Sequence, residues 1–215
     1  MNLSDFVIIV PIKSLDLAKS RLKYHITEKE RFNIIINMFL GVLKASKKSL
    51  SKEVWIICKD KIFKDICDFF NVRWIEDEGY GLNIILNDLF LDAFKKQLTP
   101  IYIPSDLPFI TAKNINQAIN LSNNGKNFVF SPAFDGKGTN LIISPILSNF
   151  SIKLGDNSLI KHTEQVFKLN SSFNYCKEDG LIYDLDTLDG LNLFSKNRPD
   201  IIDNLKKDIF QNYAQ

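Results

Sequence analysis

Short runs of consecutive apolar residues alternate with longer amphipathic patterns along most of the chain. The runs are too brief for helices and too continuous for half-exposed strands, so they indicate strands buried on both faces of a parallel sheet. The patterns between them repeat every three or four residues, as helices do. This alternation predicts βαβ units and an α/β fold. The clearest runs lie at 6–10, 54–58, 72–75, 101–103, 128–131 and 141–143.

Polar capping residues mark where two helices begin. Thr27 followed by Glu30 is a capping box, and Thr111 is a suitable N-cap for a helix that reaches about Leu121. Further helices are predicted from apolar spacing alone. Their predicted buried faces carry Ile62, Ile66, Phe69 and Phe70 in one helix, Ile84, Ile85, Leu89 and Phe90 in the next, and Ile201, Leu205 and Phe210 in the last.

Composition and charge exclude several classes of protein. With 215 residues, 45% hydrophobic and 24% charged, the chain matches an average soluble globular protein and predicts a single domain over 1–215. A net charge of +2 without a basic run argues against a nucleic-acid surface, and no apolar stretch is long enough for a signal sequence or a membrane span. Cys58, Cys67 and Cys176 form no Cys-x-x-Cys pair, which favours a reducing cytoplasm over a disulfide framework.

Asp106 follows the buried run 101–103 and precedes Pro108, which stops the strand from continuing. Open α/β sheets bind ligands at the carboxyl ends of their central strands, so Asp106 is a candidate Mg²⁺ ligand. The alternative is an ordinary turn, because Ser-Asp-Leu-Pro is also common strand-ending chemistry.

The segment that leaves the first strand, PIKSLDLAKSRL, is basic. Lys13, Lys19 and Arg21 lie close together there and could wrap a triphosphate with charge-assisted hydrogen bonds. A solvated basic loop is the alternative. The sequence has no GxxxxGK[ST] motif and no GxGxxG after the first strand, so neither a P-loop nor a dinucleotide site is predicted.

Two glycine-containing segments could present backbone N–H groups to a ligand. Gly79 and Gly81 precede a predicted helix, and Asn83 beyond them could hydrogen-bond a ribose or a base. In the loop FDGKGTN, Gly136 and Gly138 permit a concave backbone of the kind that binds phosphate or carboxylate. A simple glycine hairpin is the alternative for this loop.

The segment LGDNSLIKH opens another helix, with Asp156 or Asn157 as its predicted cap. Ser158 would lie in the first turn, where its hydroxyl and the neighbouring amides are available to an anion. His162 on the same helix is assigned no acid–base role, because such histidines are more often packed or exposed.

Asp184 and Asp186, in YDLDTLDGL, are two residues apart. At the end of a strand both carboxylates would project from the same face. Asp186 or Thr187 followed by Asp189 is also a good helix start, and the two interpretations are compatible.

Taken together and in this order, the motifs resemble those of the phospholactate guanylyltransferase family of coenzyme F420 biosynthesis. The resemblance implies a single-domain, Rossmann-like nucleotidyltransferase fold, a mostly parallel mixed sheet with helices on both faces. It also implies the reaction, in which the phosphate of a small phosphorylated acid attacks the α-phosphorus of GTP and pyrophosphate leaves. The motifs are PIKSLDLAKSRL, GYGLN, PSDLPFI, DGKGTNLI, LGDNSLIKH and YDLDTLDGL.

The resemblance also assigns roles by position. The Mg²⁺ ligands fall on Asp106, Asp184 and Asp186. The catalytic residues around the triphosphate fall on Lys13, Lys19 and Arg21, together with Asp106. The nucleotide side falls on Lys13, Gly81, Asn83 and Ser105, and the acceptor pocket on Thr139, Asn140, Gly155 and Ser158. One departure concerns the acceptor pocket: the family usually has two adjacent glycines before Thr-Asn, whereas Lys137 separates them here.

This inventory suits nucleotidyl transfer, because joining two phosphates depends on positioning and charge neutralisation and requires no nucleophilic side chain. The expected partners are GTP and 2-phospholactate, phosphoenolpyruvate or 3-phosphoglycerate, and a homodimer is an expectation at the level of the family only. Two alternatives stay open. One is an enzyme of the same fold that acts on a sugar phosphate or a pterin cofactor, and the other is a non-catalytic nucleotide-binding domain.

Overall fold

The computed structural model describes residues 5–16, 18–19, 24–186 and 188–208, and only the backbone of Asp189. The strands are β1 (Asp5–Pro11), β2 (Glu53–Cys58), β3 (Arg73–Glu76), β4 (Leu98–Tyr102), β5 (Phe128–Pro132), β6 (Thr139–Ile143) and β7 (Phe173–Tyr175). The helices are α1 (Glu28–Lys47), α2 (Lys61–Phe69), α3 (Leu82–Lys95), α4 (Ala112–Leu121), α5 (Ser158–Lys168), α6 (Asp179–Ile182), α7 (Leu188–Asn197) and α8 (Pro199–Lys206). Within these described ranges, none of the helices is long and apolar enough to cross a membrane.

The seven strands of the described ranges form one sheet in the order β3-β2-β1-β4-β6-β5-β7. β1 pairs in parallel with both β2 and β4, β2 with β3, and β5 with β7. β6 runs antiparallel to β4 and β5. The prediction of a mostly parallel mixed sheet is therefore confirmed. Because β6 is reversed, its first residues lie at the same edge of the sheet as the carboxyl ends of β1 and β4.

Helices cover both faces of this sheet, as predicted. Successive residues of β1 point to opposite faces, so Ile8 packs with α1, α2 and α4 while Ile9 packs with α3 and α5. Both residues are fully buried. A smaller apolar cluster joins Met38 of α1 to Leu191 and Phe194 of α7 and to α8.

Both predicted capping residues begin their helices. Thr27 and Glu30 form a complete capping box at α1, and Thr111 forms an equivalent pair with Asn114 at α4. Asn157 occupies the predicted N-cap position of α5, but its side chain makes no capping bond. Its left-handed backbone, at φ 53°, is not the extended conformation from which a side chain caps.

Three predicted helix faces need correction. In α2 the buried residues are Phe63, Ile66 and Cys67, while Ile62 and Phe69 are 37% and 66% exposed. Ile62 and Phe69 lie at one edge of the apolar stripe of this short helix, and the sheet covers the rest of the stripe. In α3 the buried residues are Leu86, Leu89, Phe90, Ala93 and Phe94, and Ile84 is exposed. In α8 they are Ile202 and Leu205, and Phe210 lies outside the described residues.

Candidate active site

A cavity of about 740 Å³ opens at the edge of the sheet where β1 and β4 end and β6 begins. Loops that leave parallel strands at this edge are the usual ligand sites of open α/β sheets. The cavity also receives the start of α5 and the segment after α6. Among its lining residues are Lys13, Lys19, Ser105, Asp106, Thr139, Asn140, Gly155, Ser158, Asp184 and Asp186.

The three predicted metal ligands meet in this cavity, although no strand carries Asp184 and Asp186. The short helix α6 ends at Ile182, and residues 183–186 continue without regular structure. The Leu185 N–H donates to the Asp106 carbonyl over 3.1 Å. This single backbone bond places the carboxylates on either side of Leu185 next to the turn after β4. The strand-end interpretation of Asp184 and Asp186 does not hold, because this loop is anchored by Asp106 and not by a sheet ladder.

Lys19 forms ion pairs with two of these carboxylates. Its ammonium lies 2.8 Å from Asp106 Oδ2 and 2.5 Å from Asp186 Oδ1, and its side chain is only 5% exposed. Burial alone would lower the pKa of Lys19, but the two carboxylates outweigh burial and raise it. Burial likewise favours the neutral form of Asp186, and Lys19 overrides it and lowers that pKa.

Asp184 differs from Asp106 and Asp186 because, among the described residues, its carboxylate forms no ion pair. Burial, followed by repulsion from Asp106 and Asp186, raises its pKa to about 6. The same three carboxylates, after burial itself, raise the pKa of Tyr102, whose side chain lies in the floor of the cavity. A concentration of negative charge this high is characteristic of sites that bind cations.

The three aspartates fit a hard divalent cation by their chemistry. Carboxylate oxygens are the ligands that Mg²⁺ prefers. Burial first, and then repulsion from Asp106 and Asp186, raises the pKa of Asp184, and a bound cation would offset that repulsion. In the part of the chain that the structure describes, no group of three His, Cys, Asp or Glu side chains is already arranged around a metal position. The Lys19 ammonium lies between two of the carboxylates instead.

The basic loop after β1 is shaped by two residues that the sequence did not single out. Arg31 of α1, which is buried, donates to the Leu15 carbonyl over 2.6 Å and to the Ala18 carbonyl over 2.7 Å. Asp60, the N-cap residue of α2, accepts from the Leu15 N–H over 2.8 Å. The sequence feature that could have identified Arg31 is its position on the otherwise apolar face of α1, where a charged side chain requires partners. Of the predicted cations, Lys13 and Lys19 line the cavity, and Arg21 lies outside the described residues.

Asn83 has partners other than the predicted nucleoside. Its side-chain amide donates to the Leu154 carbonyl over 3.2 Å, and its oxygen accepts from the Leu154 N–H over 2.8 Å. Both polar groups are therefore used to tie α3 to the segment before α5. Gly81 is the N-cap of α3 with φ 108°, a conformation that favours glycine. The neighbouring Leu82 lines the cavity, whereas Gly81 and Asn83 are not among its lining residues.

The loop between β5 and β6 already contains its own anion. The Asp135 carboxylate accepts from the N–H groups of Lys137 at 2.8 Å and Gly138 at 3.0 Å, and these bonds lower the pKa of Asp135. The predicted anion nest is thus filled by a side chain of the loop itself. Gly138 is required by packing, since a Cβ there would lie 2.9 Å from that of Ala133.

The amides at the start of α5 are also engaged. The Ser158 N–H donates to Gly155 over 3.1 Å, and the Leu159 N–H donates to the Lys137 carbonyl over 3.0 Å. In the part of the cavity at the start of α5, the polar groups that face a ligand are therefore a pair of hydroxyls. Thr139 Oγ1 and Ser158 Oγ are 3.0 Å apart and both residues line the cavity. Asn140 lies beside them and donates to the Ile182 carbonyl over 3.0 Å.

Comparison with known proteins identifies the family. Residues 6–191 match the family described as "Guanylyl transferase CofC like". The chain belongs to this family. The predicted family is thereby confirmed, and its members are nucleotidyltransferases.

Relatives of the family carry two different substrate names. The chain is 30% identical over 167 residues to the 2-phospho-L-lactate guanylyltransferase of Methanocaldococcus infernus, covering 78% of this chain and 73% of that protein. It is 26% identical over 187 residues to the phosphoenolpyruvate guanylyltransferase of Roseiflexus castenholzii, covering 87% and 86%.

Solved structures support the fold. A candidate nucleotide-diphospho-sugar transferase from Desulfovibrio desulfuricans G20 superposes with a TM-score of 0.73 at 15% identity, covering 91% of this chain and 88% of that one. A CMP:2-keto-3-deoxy-manno-octonic acid synthetase complexed with CTP gives 0.55 at 11% identity, covering 92% and 99%. The predicted nucleotidyltransferase fold is confirmed by these likenesses.

Proposed function

We propose that this chain transfers GMP from GTP to the phosphate of a small phosphorylated acid and releases pyrophosphate, a reaction of coenzyme F420 biosynthesis. The observation that carries the proposal is one cavity in which a buried lysine and three aspartates face a pair of hydroxyls. Lys19 and a cation held by the carboxylates would compensate charge at the nucleotide, and the hydroxyl pair would bind the acceptor.

The chemistry requires one bond to form and one to break. An oxygen of the acceptor phosphate attacks the α-phosphorus of GTP, and the bond from that phosphorus to the oxygen that joins it to the β-phosphorus breaks, so that this oxygen leaves with pyrophosphate. Both partners are anions, so the site must neutralise charge and align the attacking and leaving oxygens. No covalent intermediate with a side chain is needed.

Asp106, Asp184 and Asp186 are the proposed Mg²⁺ ligands. Bound there, Mg²⁺ would offset negative charge on the reacting phosphates and help to align them. We assign Lys13 and Lys19, with Arg21 from the family resemblance, to the phosphates that leave as pyrophosphate. Burial makes Lys19 the stronger contributor of the two described cations, because a desolvated charge interacts more strongly than one in water.

Thr139, Gly155 and Ser158 are assigned to the acceptor. The relatives named for 2-phospho-L-lactate and for phosphoenolpyruvate both support an acceptor with a phosphate beside a carboxylate. These two acceptors differ only in the saturation of one carbon–carbon bond. Even a whole methyl or hydroxyl group is typically worth only ~1 to 3 kcal/mol of discrimination in an apolar pocket. Phe134 and Tyr183, whose rings are 5.0 Å apart, provide an apolar wall for that discrimination.

Pyrophosphate release by the purified protein tests this proposal. The protein is given Mg²⁺, either GTP or CTP, and 2-phospholactate, phosphoenolpyruvate, 3-phosphoglycerate, a sugar phosphate or a pterin cofactor. The proposal expects release with GTP and one of the three phospho-acids. Release only with a sugar phosphate or pterin would identify the other enzyme class, and GTP binding without turnover would identify a non-catalytic domain.

Replacing one proposed metal ligand tests the metal site, and replacing a surface aspartate provides the matched control. Asp106→Asn keeps the side-chain shape and removes one charge, so it is expected to lower turnover by about 100-fold or more with an unchanged fold. Asp92→Asn removes a charge from the surface pair with Lys95 on α3 and is expected to leave turnover within about twofold. Equal turnover in the two variants would remove Asp106 from the metal site.

A further inference from the structure

The segment 151–154 crosses the protein beside the cavity without joining the sheet. Its backbone is held by side chains. The Gln165 amide bonds the backbone N–H and carbonyl of Ser151, and the Asn87 amide bonds the backbone N–H and carbonyl of Ile152. The N–H of Lys153 donates to His162 Nε2 over 2.9 Å. His162 is fully buried and makes one more hydrogen bond, to Thr139.

The contact with Lys153 fixes which nitrogen of His162 carries the proton. A backbone N–H can only donate, so Nε2 must accept and carries no hydrogen. In the neutral ring the proton is then on Nδ1, which lies 3.1 Å from Thr139 Oγ1 and donates to it. Burial, followed by the nearby Lys153 and Lys161, lowers the pKa of His162 to about 4, so the ring is neutral at physiological pH.

The direction of the hydrogen bond from His162 to Thr139 also determines how the hydroxyls in the cavity are oriented. Because Thr139 Oγ1 accepts from His162, its own hydrogen is available to Ser158 Oγ, which is 3.0 Å away. If Ser158 donated to Thr139 instead, the hydrogen of the buried Thr139 hydroxyl would have no acceptor among the described residues. Thr139 is therefore the donor, and the hydrogen of Ser158 remains for a ligand. Among the described residues, Thr139 is the only hydrogen-bond partner of Ser158 Oγ. Ser158 is buried and lines the cavity.

Two rings hold the histidine in this orientation. Phe130 of β5 stacks on His162 at 5.9 Å between centroids with an angle of 11° between the planes, and Phe150 packs against it at 5.5 Å. An aromatic cage of this kind prevents the ring from flipping to exchange its two nitrogens. Buried packing therefore sets the direction of the hydrogen bonds that run from His162 through Thr139 to Ser158, here called the hydroxyl relay.

We infer that His162 is a positioning residue, which orients the hydroxyls of Thr139 and Ser158 so that Ser158 donates a hydrogen bond to an anionic oxygen of the acceptor. The inference rests on the proposed function for the identity of that acceptor. It assigns His162 no contact with substrate and no proton transfer. A merely structural role would be limited to holding Lys153 in place.

The tautomer of His162 is the first test, and it does not depend on activity. The sequence contains only two histidines, and the other, His25, is exposed. Long-range nitrogen–proton correlation spectra of the histidine-labelled protein, compared with a His162→Asn sample, assign the ring. A proton on Nδ1 is the expected result. A proton on Nε2 would reverse the relay and overturn the inference.

Two substitutions separate the two hydrogen bonds of His162. Asparagine places an amide N–H near the Nδ1 position and keeps the donor to Thr139, whereas glutamine places an amide oxygen near Nε2 and keeps the acceptor for Lys153. Calorimetry with 2-phospholactate, phosphoenolpyruvate and 3-phosphoglycerate is expected to show acceptor affinity about tenfold weaker in His162→Gln and little changed in His162→Asn. GTP affinity is expected to be the same in both variants.

Asn87→Ala is the stability control, because it removes two hydrogen bonds from the same segment and does not touch the relay. It is expected to lower Tm without changing acceptor affinity. If His162→Gln binds acceptors as the wild type does, or if all three variants weaken acceptor binding in proportion to their loss of Tm, the inference is overturned. Wild-type protein that releases no pyrophosphate, combined with weaker acceptor binding in His162→Gln, would overturn the proposed function and leave the inference standing.

Discussion

Because the His162 ring is buried, the free energy of unfolding is expected to fall at acid pH. The ring is fully buried and its pKa is lowered from 6.5 to about 4 in the folded protein, chiefly by burial and then by Lys153 and Lys161. The unfolded chain therefore takes up a proton at a higher pH than the folded chain does. Stability from this group is complete above a pH of about 6.5 and is lost as the pH falls towards about 4.

The size of this effect follows from the two pKa values. Between about pH 7 and about pH 5, the unfolded state gains most of one proton while the folded ring stays neutral. Linkage over that interval amounts to ~2 kcal/mol of lost stability. Carboxylates also titrate in this range, so the wild-type value alone does not isolate His162.

Urea unfolding of wild type and His162→Asn at both pH values isolates it. Asparagine does not titrate, so the stability advantage of wild type near pH 7 is expected to shrink by ~2 kcal/mol near pH 5. The contributions of all other groups cancel in this double difference. An advantage of the same size at both pH values would show that His162 is not a buried neutral ring and would refute the reasoning.

Other predictions concern the residues that position the site. Arg31→Ala leaves the Leu15 and Ala18 carbonyls without their donor, so steady-state kinetics are expected to show a KM for GTP raised about tenfold; an unchanged KM would mean that the loop holds its shape without Arg31. Gly180→Ala in α6 places a Cβ 2.8 Å from the Phe109 carbonyl. Thermal unfolding is therefore expected to show a loss of ~1 to 3 kcal/mol in the free energy of unfolding. A Tm equal to that of wild type would show that α6 can shift freely.

Much of the fold was predictable because its signals are local. The buried runs at β1 and β4, and the capping boxes at Thr27 and Thr111, each depend on residues within one element. The position of Asp106 followed from the general rule that strand ends bind ligands. The internal bonds of Asp135 are equally local and are typical of an Asx turn, so the filled loop could also have been predicted.

The rest of the site depends on pairings between distant residues. The bond from Leu185 to Asp106 that gathers the carboxylates has no local signature. Asn83 meets Leu154 across 71 residues of sequence, and nothing near Asn83 distinguishes this tie from a ligand contact. The direction of the relay through His162 requires both of its partners to be known, and these come from β6 and the segment before α5.

An isotope experiment tests the central claim most directly. The acceptor is prepared with ¹⁸O in its phosphate, incubated with the protein, Mg²⁺ and unlabelled GTP, and the products are analysed by ³¹P NMR and mass spectrometry. Attack by the acceptor phosphate on the α-phosphorus predicts a product in which labelled phosphate is joined to GMP, with unlabelled pyrophosphate. Release of GDP with a second phosphoryl group on the acceptor, or hydrolysis of GTP with the acceptor unchanged, would contradict it.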